Sequence, residues 1–159
     1  LVMVGSDHFH QLWLDNMPQF LVGKAPTYDA NWYNEEREFG LPRFRLDGHE
    51  ELSAHILRGG LDSGFDLAFS NELRIDHSIT CPIITLRPEA DLPIVPIYTN
   101  IFAPPLPQPK RFVDLGRTLR SLIENRLKAG DTFEKAAAAA ATSVPALHHQ
   151  ARTRVRAAN

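Results

Sequence analysis

The chain has 159 residues, a length that suits one folded domain and is too short for two domains with separate cores. Hydrophobic residues make up 43% of it and charged residues 23%, and a formal net charge of -2 gives no field that would gather nucleic acid. The lone Cys81 excludes an internal disulfide and any Cys-x-x-Cys site. The cysteine content favours a reducing, cytoplasmic setting, and the charge favours no nucleic-acid or membrane partner. Because the apolar runs are too short to cross a bilayer, we expect a soluble protein.

The predicted elements alternate between strands and helices. In chain order they are a strand at 1–5, a short apolar segment at 17–23, a long loop at 24–45 that would act as a lid, a helix from Asp47 to Gly59-Gly60, a strand at 65–70 running on to Asp76-His77, a strand at 94–98 and a helix at 110–128. This order predicts an α/β fold with a mostly parallel or mixed central sheet covered by helices.

Both ends of the sequence look abnormal. Residues 1–5 read as a buried strand already under way at the first position, which predicts a chain that is cut at its N-terminus. Residues 136–141 are all alanine, and a basic stretch with little apolar patterning follows them. We therefore expect a partial domain over residues 1–130 and a tail of uncertain structure over 131–159.

Two of the seven histidines stand out by their context. His8 and His77 each follow an Asp, and each stands at the end of a predicted strand, so a parallel sheet would bring both to one crevice. An imidazole that binds a metal usually donates its other N–H to a carboxylate, and either Asp7 or Asp76 could accept that bond. The pattern predicts that both histidines converge on one pocket.

Further polar side chains near these positions are candidates for the same site. Asp7, Asp76 and Asn100 would orient a substrate or support the histidines, although each residue type also caps turns. His10 is a plausible neighbour of the site. The cations of Arg43, Arg45 and Arg74 could meet a substrate carboxylate, but the commoner role of such residues is that of solvated surface charges.

An ordered set of short motifs resembles a known family. The set comprises Val4-Gly5-Ser6-Asp7-His8-Phe9, Met17-Pro18-Gln19-Phe20-Leu21-Val22-Gly23, Gly48-His49, Ile75-Asp76-His77-Ser78, and Asn100 with the Pro104-Pro105 loop. Over about residues 1–126, their order and spacing are similar to those of the class III extradiol ring-cleavage dioxygenases, the group of protocatechuate 4,5-dioxygenase, gallate dioxygenase and 2,3-dihydroxyphenylpropionate dioxygenase. No single motif is specific by itself.

The resemblance implies a non-haem Fe(II) enzyme that opens a catechol-type ring with dioxygen in aromatic compound catabolism. It implies that His8 binds the iron and that His77 is the catalytic histidine beside the substrate hydroxyl, able to move a proton. Ser78 stands where the family more often has Gly. The family's other iron-binding His and its Glu ligand would lie outside the matching stretch, so the chain alone is expected to be weakly active or inactive.

Two other functions stay open at this point. One is a non-catalytic relative whose sheet is kept for assembly into a homo- or hetero-oligomer. The other is a divalent-metal hydrolase, because two Asp-His pairs at strand ends also suit a metal that activates water. The sequence does not indicate which catechol would be the substrate.

Overall fold

The computed structural model describes residues 1–128, so the expectation for residues 131–159 lies outside the described part of the chain. Ten elements follow one another: β1 (Val2–Gly5), β2 (Phe20–Gly23), β3 (Thr27–Ala30), α1 (Tyr33–Phe39), β4 (Phe44–Asp47), α2 (Glu50–Asp62), β5 (Ala68–Ser70), α3 (His77–Leu86), β6 (Val95–Thr99) and α4 (Pro109–Lys128). None of the helices within residues 1–128 has the length and apolar character that a bilayer span requires.

The main sheet has four strands in the order β1-β6-β2-β5. β1 runs parallel to β6 with Val2 opposite Val95, β6 runs antiparallel to β2, and β2 runs parallel to β5. This mixed sheet and its helices confirm the predicted α/β class. Since β1 and β6 end at the same edge, the loops that carry His8 and Asn100 leave the sheet side by side.

Side chains alternate between the two faces of the sheet, as the period of two in a strand requires. One face packs on α2 and α4, and its buried residues are Phe20, Val22, Ile56, Phe65, Val95, Ile97, Leu115 and Leu119. The other face packs on α3 and the small sheet, and its buried residues are Leu21, Ala25, Tyr28, Ala30, Leu46, Leu73, Ile75, Ile79, Ile83, Ile94 and Tyr98. Tyr98 therefore projects from β6 toward α3.

Residues 24–45 do not form the predicted lid loop. β3 and β4 pair antiparallel, with Tyr28 opposite Leu46, and α1 lies between them in the chain. Tyr28, Ala30 and Leu46 are buried in the core, so this segment is part of the packed domain. The elements have only four to seven residues each, which is too short to show a clear period in the sequence.

The prediction that a strand leads directly to His77 is also wrong. β5 ends at Ser70, and its carboxyl end lies at the edge opposite to that of β1 and β6, because β5 runs parallel to β2. The chain then crosses the domain to Ile75, which forms an isolated parallel bridge with Ala30. His77 is the first residue of α3 and not the last residue of a strand.

The predicted helix stop at Gly59-Gly60 is wrong as well, since α2 continues to Asp62. A Cβ atom at Gly59 would lie 2.2 Å from a methyl carbon of Leu122 on α4, and one at Gly60 would lie 2.6 Å from a methyl carbon of Leu67. The two glycines thus allow close packing on α2 and do not end it.

Candidate active site

Asp7 organises the loop that follows β1. Its Oδ2 accepts hydrogen bonds from the backbone N–H groups of His10 at 3.1 Å, Gln11 at 3.3 Å and Leu12 at 3.0 Å. Burial raises the pKa of the Asp7 carboxyl, while the bonds from Leu12 and Gln11 oppose that shift. Asp7 therefore shapes the backbone that presents His8 and does not itself bond to the His8 ring.

His8 is held by Asp76, which is fully buried at the start of α3. The His8 Nδ1 lies 2.8 Å from Asp76 Oδ2. The other oxygen, Oδ1, accepts the hydroxyl of Tyr98 at 3.0 Å and that of Ser78 at 2.6 Å. Both oxygens of the Asp76 carboxylate therefore have hydrogen-bond partners. The pKa of the Tyr98 hydroxyl lies well above its usual range, because the hydroxyl is buried and the nearby negative charge of Asp76 disfavours a phenolate.

His77 is held by Glu35, the third residue of α1 and also fully buried. Glu35 Oε1 lies 2.5 Å from His77 Nδ1 and accepts the backbone N–H of His77 at 2.7 Å, while Oε2 accepts the N–H of Trp32 at 2.8 Å. Sequence reasoning missed Glu35. The sequence feature that could have indicated it is a Glu at the third helical position, which in a capping box accepts the backbone N–H of the N-cap residue.

The two imidazole rings stack. The ring centroids of His8 and His77 are 4.3 Å apart with 24° between the planes. Phe102 lies 5.4 Å from the His8 ring and Phe39 lies 5.1 Å from the His77 ring, which gives the pair apolar neighbours. Each histidine uses its Nδ1 on a buried carboxylate, so each keeps its Nε2 without a hydrogen-bond partner among residues 1–128.

The other two predicted residues lie around this pair. His10 stacks on Trp32 with 5.7 Å between centroids, and its Nε2 is 3.6 Å from Glu35 Oε1. Asn100 accepts two backbone N–H groups with its Oδ1, and its Nδ2 donates to Ala103 O at 2.7 Å. The Asn100 amide is therefore engaged in shaping the loop that carries Phe102.

A group of four side chains and, separately, the Nε2 of His8 are the candidates for metal binding in this site. Single ligand atoms of His10, Glu35, Asp76 and His77 lie within 4.8 Å of one another, a group that excludes His8. Its two carboxylates, however, already accept buried N–H and O–H donors, which would lose their partners if a metal took the oxygens. The Nε2 of His8, backed by Asp76 at Nδ1, is the donor that suits a metal better.

The arginine candidates are all paired with carboxylates on the surface. Arg43 lies 3.1 Å from Glu36, and Arg45 lies 3.0 Å from Asp29. Arg74 reaches the same Asp29 at 3.6 Å. These contacts agree with the interpretation of Arg43 and Arg45 as surface charges, whereas the side chain of Arg74 is only 35% exposed and its guanidinium lies 4.9 Å from the centre of the Trp32 ring.

Known proteins match most of this chain. The family described as "Catalytic LigB subunit of aromatic ring-opening dioxygenase" matches residues 1–130. A 2,3-dihydroxyphenylpropionate/2,3-dihydroxicinnamic acid 1,2-dioxygenase of Photorhabdus laumondii is 31% identical over 124 residues, which are 77% of this chain and 37% of that protein. Proteins with the same name from Azotobacter vinelandii and Rhodococcus globerulus are 30% and 24% identical, and the match covers 38% of each.

The chain thus spans somewhat more than a third of the length of these relatives. The matches cover more than three quarters of the chain itself. The matching stretch contains both sheets and the four helices described within residues 1–128, together with both imidazole–carboxylate pairs. The chain belongs to the family of the catalytic subunit of aromatic ring-opening dioxygenases, the class III extradiol dioxygenases.

Proposed function

We propose that the stacked pair of His8 and His77 is part of the active centre of an Fe(II)-dependent enzyme that opens a catechol-type ring with dioxygen. The observation that carries the proposal is the pairing itself. Two imidazoles from distant parts of the chain meet at 4.3 Å, and each leaves Nε2 available because a buried carboxylate takes Nδ1. Family membership supplies the reaction class.

His8 is the metal ligand in this proposal. A ligating histidine usually donates its second N–H to a carboxylate, which fixes the ring and makes the metal-binding nitrogen more basic, and Asp76 is placed to accept that bond. Bound ferrous iron held by two histidines and one carboxylate would supply open positions for the catechol and dioxygen. His8 is the one member of that ligand set that we assign.

His77 transfers a proton in this proposal. It stands beside the ligand and is held from behind by Glu35, so its Nε2 can accept the proton of a substrate hydroxyl and return it later. Proton transfer by a positioned side chain typically contributes about 10²- to 10⁴-fold to a rate. The surrounding rings of Phe39 and Phe102 would pack against an aromatic substrate.

The test measures oxygen uptake and the yellow semialdehyde product with ferrous iron and a panel of catechols with and without a carboxylate. Two proteins are assayed: the 159-residue chain, and a chimera in which the part of this chain that matches the Photorhabdus laumondii relative replaces the corresponding segment of that relative. We expect the chimera to be the more active protein, because it contains the ligands of a complete relative. His77→Gln should slow product formation about 10²- to 10⁴-fold, and His8→Ala should abolish metal binding.

His55→Gln is the matched control. His55 lies on α2, on the opposite face of the sheet, where its Nε2 meets the Leu122 carbonyl at 3.1 Å. A folded, iron-loaded chimera that makes no ring-opened product, or one in which His77→Gln is as active as His55→Gln, would contradict the proposal. Hydrolysis of an ester or amide without oxygen uptake would favour the metal-hydrolase alternative instead.

A further inference from the structure

The buried Glu35 has more contacts than a helix cap requires. Its two oxygens face two backbone N–H groups, those of Trp32 and His77, and the ring nitrogen Nδ1 of His77 at 2.5 Å. The Nε2 of His10 lies further away, 3.6 Å from Glu35 Oε1. A glutamate that only capped α1 would need the bond to Trp32 alone.

The donors around Glu35 decide which His77 nitrogen carries the proton. Backbone N–H groups can only donate, so both oxygens of Glu35 act as acceptors toward the chain. Since Oε1 is an acceptor, its short hydrogen bond with the His77 ring requires that Nδ1 is the nitrogen that carries the hydrogen. In a neutral imidazole the other nitrogen, Nε2, must keep its lone pair.

We infer that Glu35 is a positioning residue, which acts through His77: it holds the neutral ring as the Nδ1–H tautomer and so presents Nε2 as the proton acceptor of the site. This inference rests on the proposed function of His77 and adds a residue to it. The full burial of Glu35 makes the bond strong, because no water competes for the carboxylate. A ring with the opposite tautomer could not accept a proton at Nε2.

The experiment reads the tautomer directly. The metal-free 159-residue chain is labelled with ¹⁵N-histidine, and two-bond ¹H–¹⁵N correlation is recorded at a pH where the ring is neutral, with His77→Gln to assign the signals. We expect wild-type His77 to show a protonated Nδ1 and an unprotonated Nε2. In Glu35→Gln the side-chain amide cannot satisfy all three N–H groups, so the Nε2–H form should become populated.

Glu36→Gln is the control for charge and helix. Glu36 is the next residue on α1, exposed and paired with Arg43, so this variant loses the same charge without touching the site. Loss of a cap alone would lower the thermal stability of Glu35→Gln and leave the His77 signals as in wild type, which would overturn the inference.

A wild-type His77 that carries its proton on Nε2 would overturn the inference too. This measurement on the wild-type chain can be made even if Glu35→Gln fails to fold. Because the chain is metal-free in this measurement, the result is independent of whether it opens a catechol ring. Failure of the proposed function would appear in the oxygen and product assays, whereas failure of this inference appears only in the ring nitrogens.

Discussion

Asp76 connects groups that are far apart in the sequence. It lies 68 positions from His8 and 22 from Tyr98, and it meets both through one fully buried carboxylate. The hydroxyl of Ser78 also donates to Asp76, so Ser78 adds a donor to this carboxylate within the first turn of α3. Removal of a buried acceptor with several donors costs more than an average hydrogen bond, because the donors remain unpaired.

Asp76→Asn should therefore weaken metal binding through His8. An amide nitrogen opposite His8 Nδ1 would favour the tautomer with a proton on Nε2, which cannot bind a metal there. We expect a loss of about 10- to 100-fold in affinity for Co(II), measured by titration of the metal-free chimera, which contains the ligands of a complete relative. Asp114→Asn, which changes a half-buried carboxylate on α4 that pairs with Lys110, is the control, and equal affinities for the two variants would refute the role of Asp76.

At the scale of elements, two connections bring the site residues together. Ile75 bridges Ala30 of the small sheet, and Gly48 bridges Ile94 just before β6. The first bridge delivers Asp76 and His77 beside the end of β1, and the second attaches the β3–β4 pair to the main sheet. Gly48 has no space for a side chain, since a Cβ atom there would lie 1.9 Å from the carbonyl oxygen of Ala25.

Gly48→Ala and Gly116→Ala should change stability in opposite directions. The clash at Gly48 is with backbone, so we expect a loss of about 1–3 kcal/mol. Gly116 lies within α4 with nothing within 4 Å of its Cβ position, so alanine should stabilise the helix by up to about 1 kcal/mol. Urea denaturation of both variants measures the difference, and a Gly48→Ala protein as stable as wild type would be incompatible with the close approach.

For the whole molecule, the two apolar faces of the sheet carry the stability of the fold. The face toward α3 contains the buried phenol of Tyr28, whose oxygen accepts the N–H of Ala25 at 3.1 Å. Burial raises the pKa of the Tyr28 hydroxyl, because the charged phenolate would be poorly solvated there. The folded chain thus keeps a proton that the unfolded chain releases more readily.

Stability should therefore fall at alkaline pH. The raised pKa of Tyr28 contributes to the free energy of unfolding. This contribution is fully present below the ordinary tyrosine pKa of about 10, and it is lost as the pH rises through the higher pKa of Tyr28 in the folded chain. Thermal unfolding followed from pH 8 to pH 11.5 should show the decline, and Tyr28→Phe should show a shallower one despite a lower starting stability. Parallel declines for the two proteins would argue against a role for Tyr28.

The sequence alone determined the α/β class, the first strand, which ends at Gly5 shortly before His8, the amphipathic helix α4 and the family, because these depend on local periodicity and on ordered motifs. Only the tertiary structure decided the partners of the histidines. Glu35 lies 42 positions from His77, in a segment whose elements are too short to show a period, and its role depends on how α1 packs beside α3. Contacts between distant positions follow from the packing of whole elements, and no local pattern encodes them.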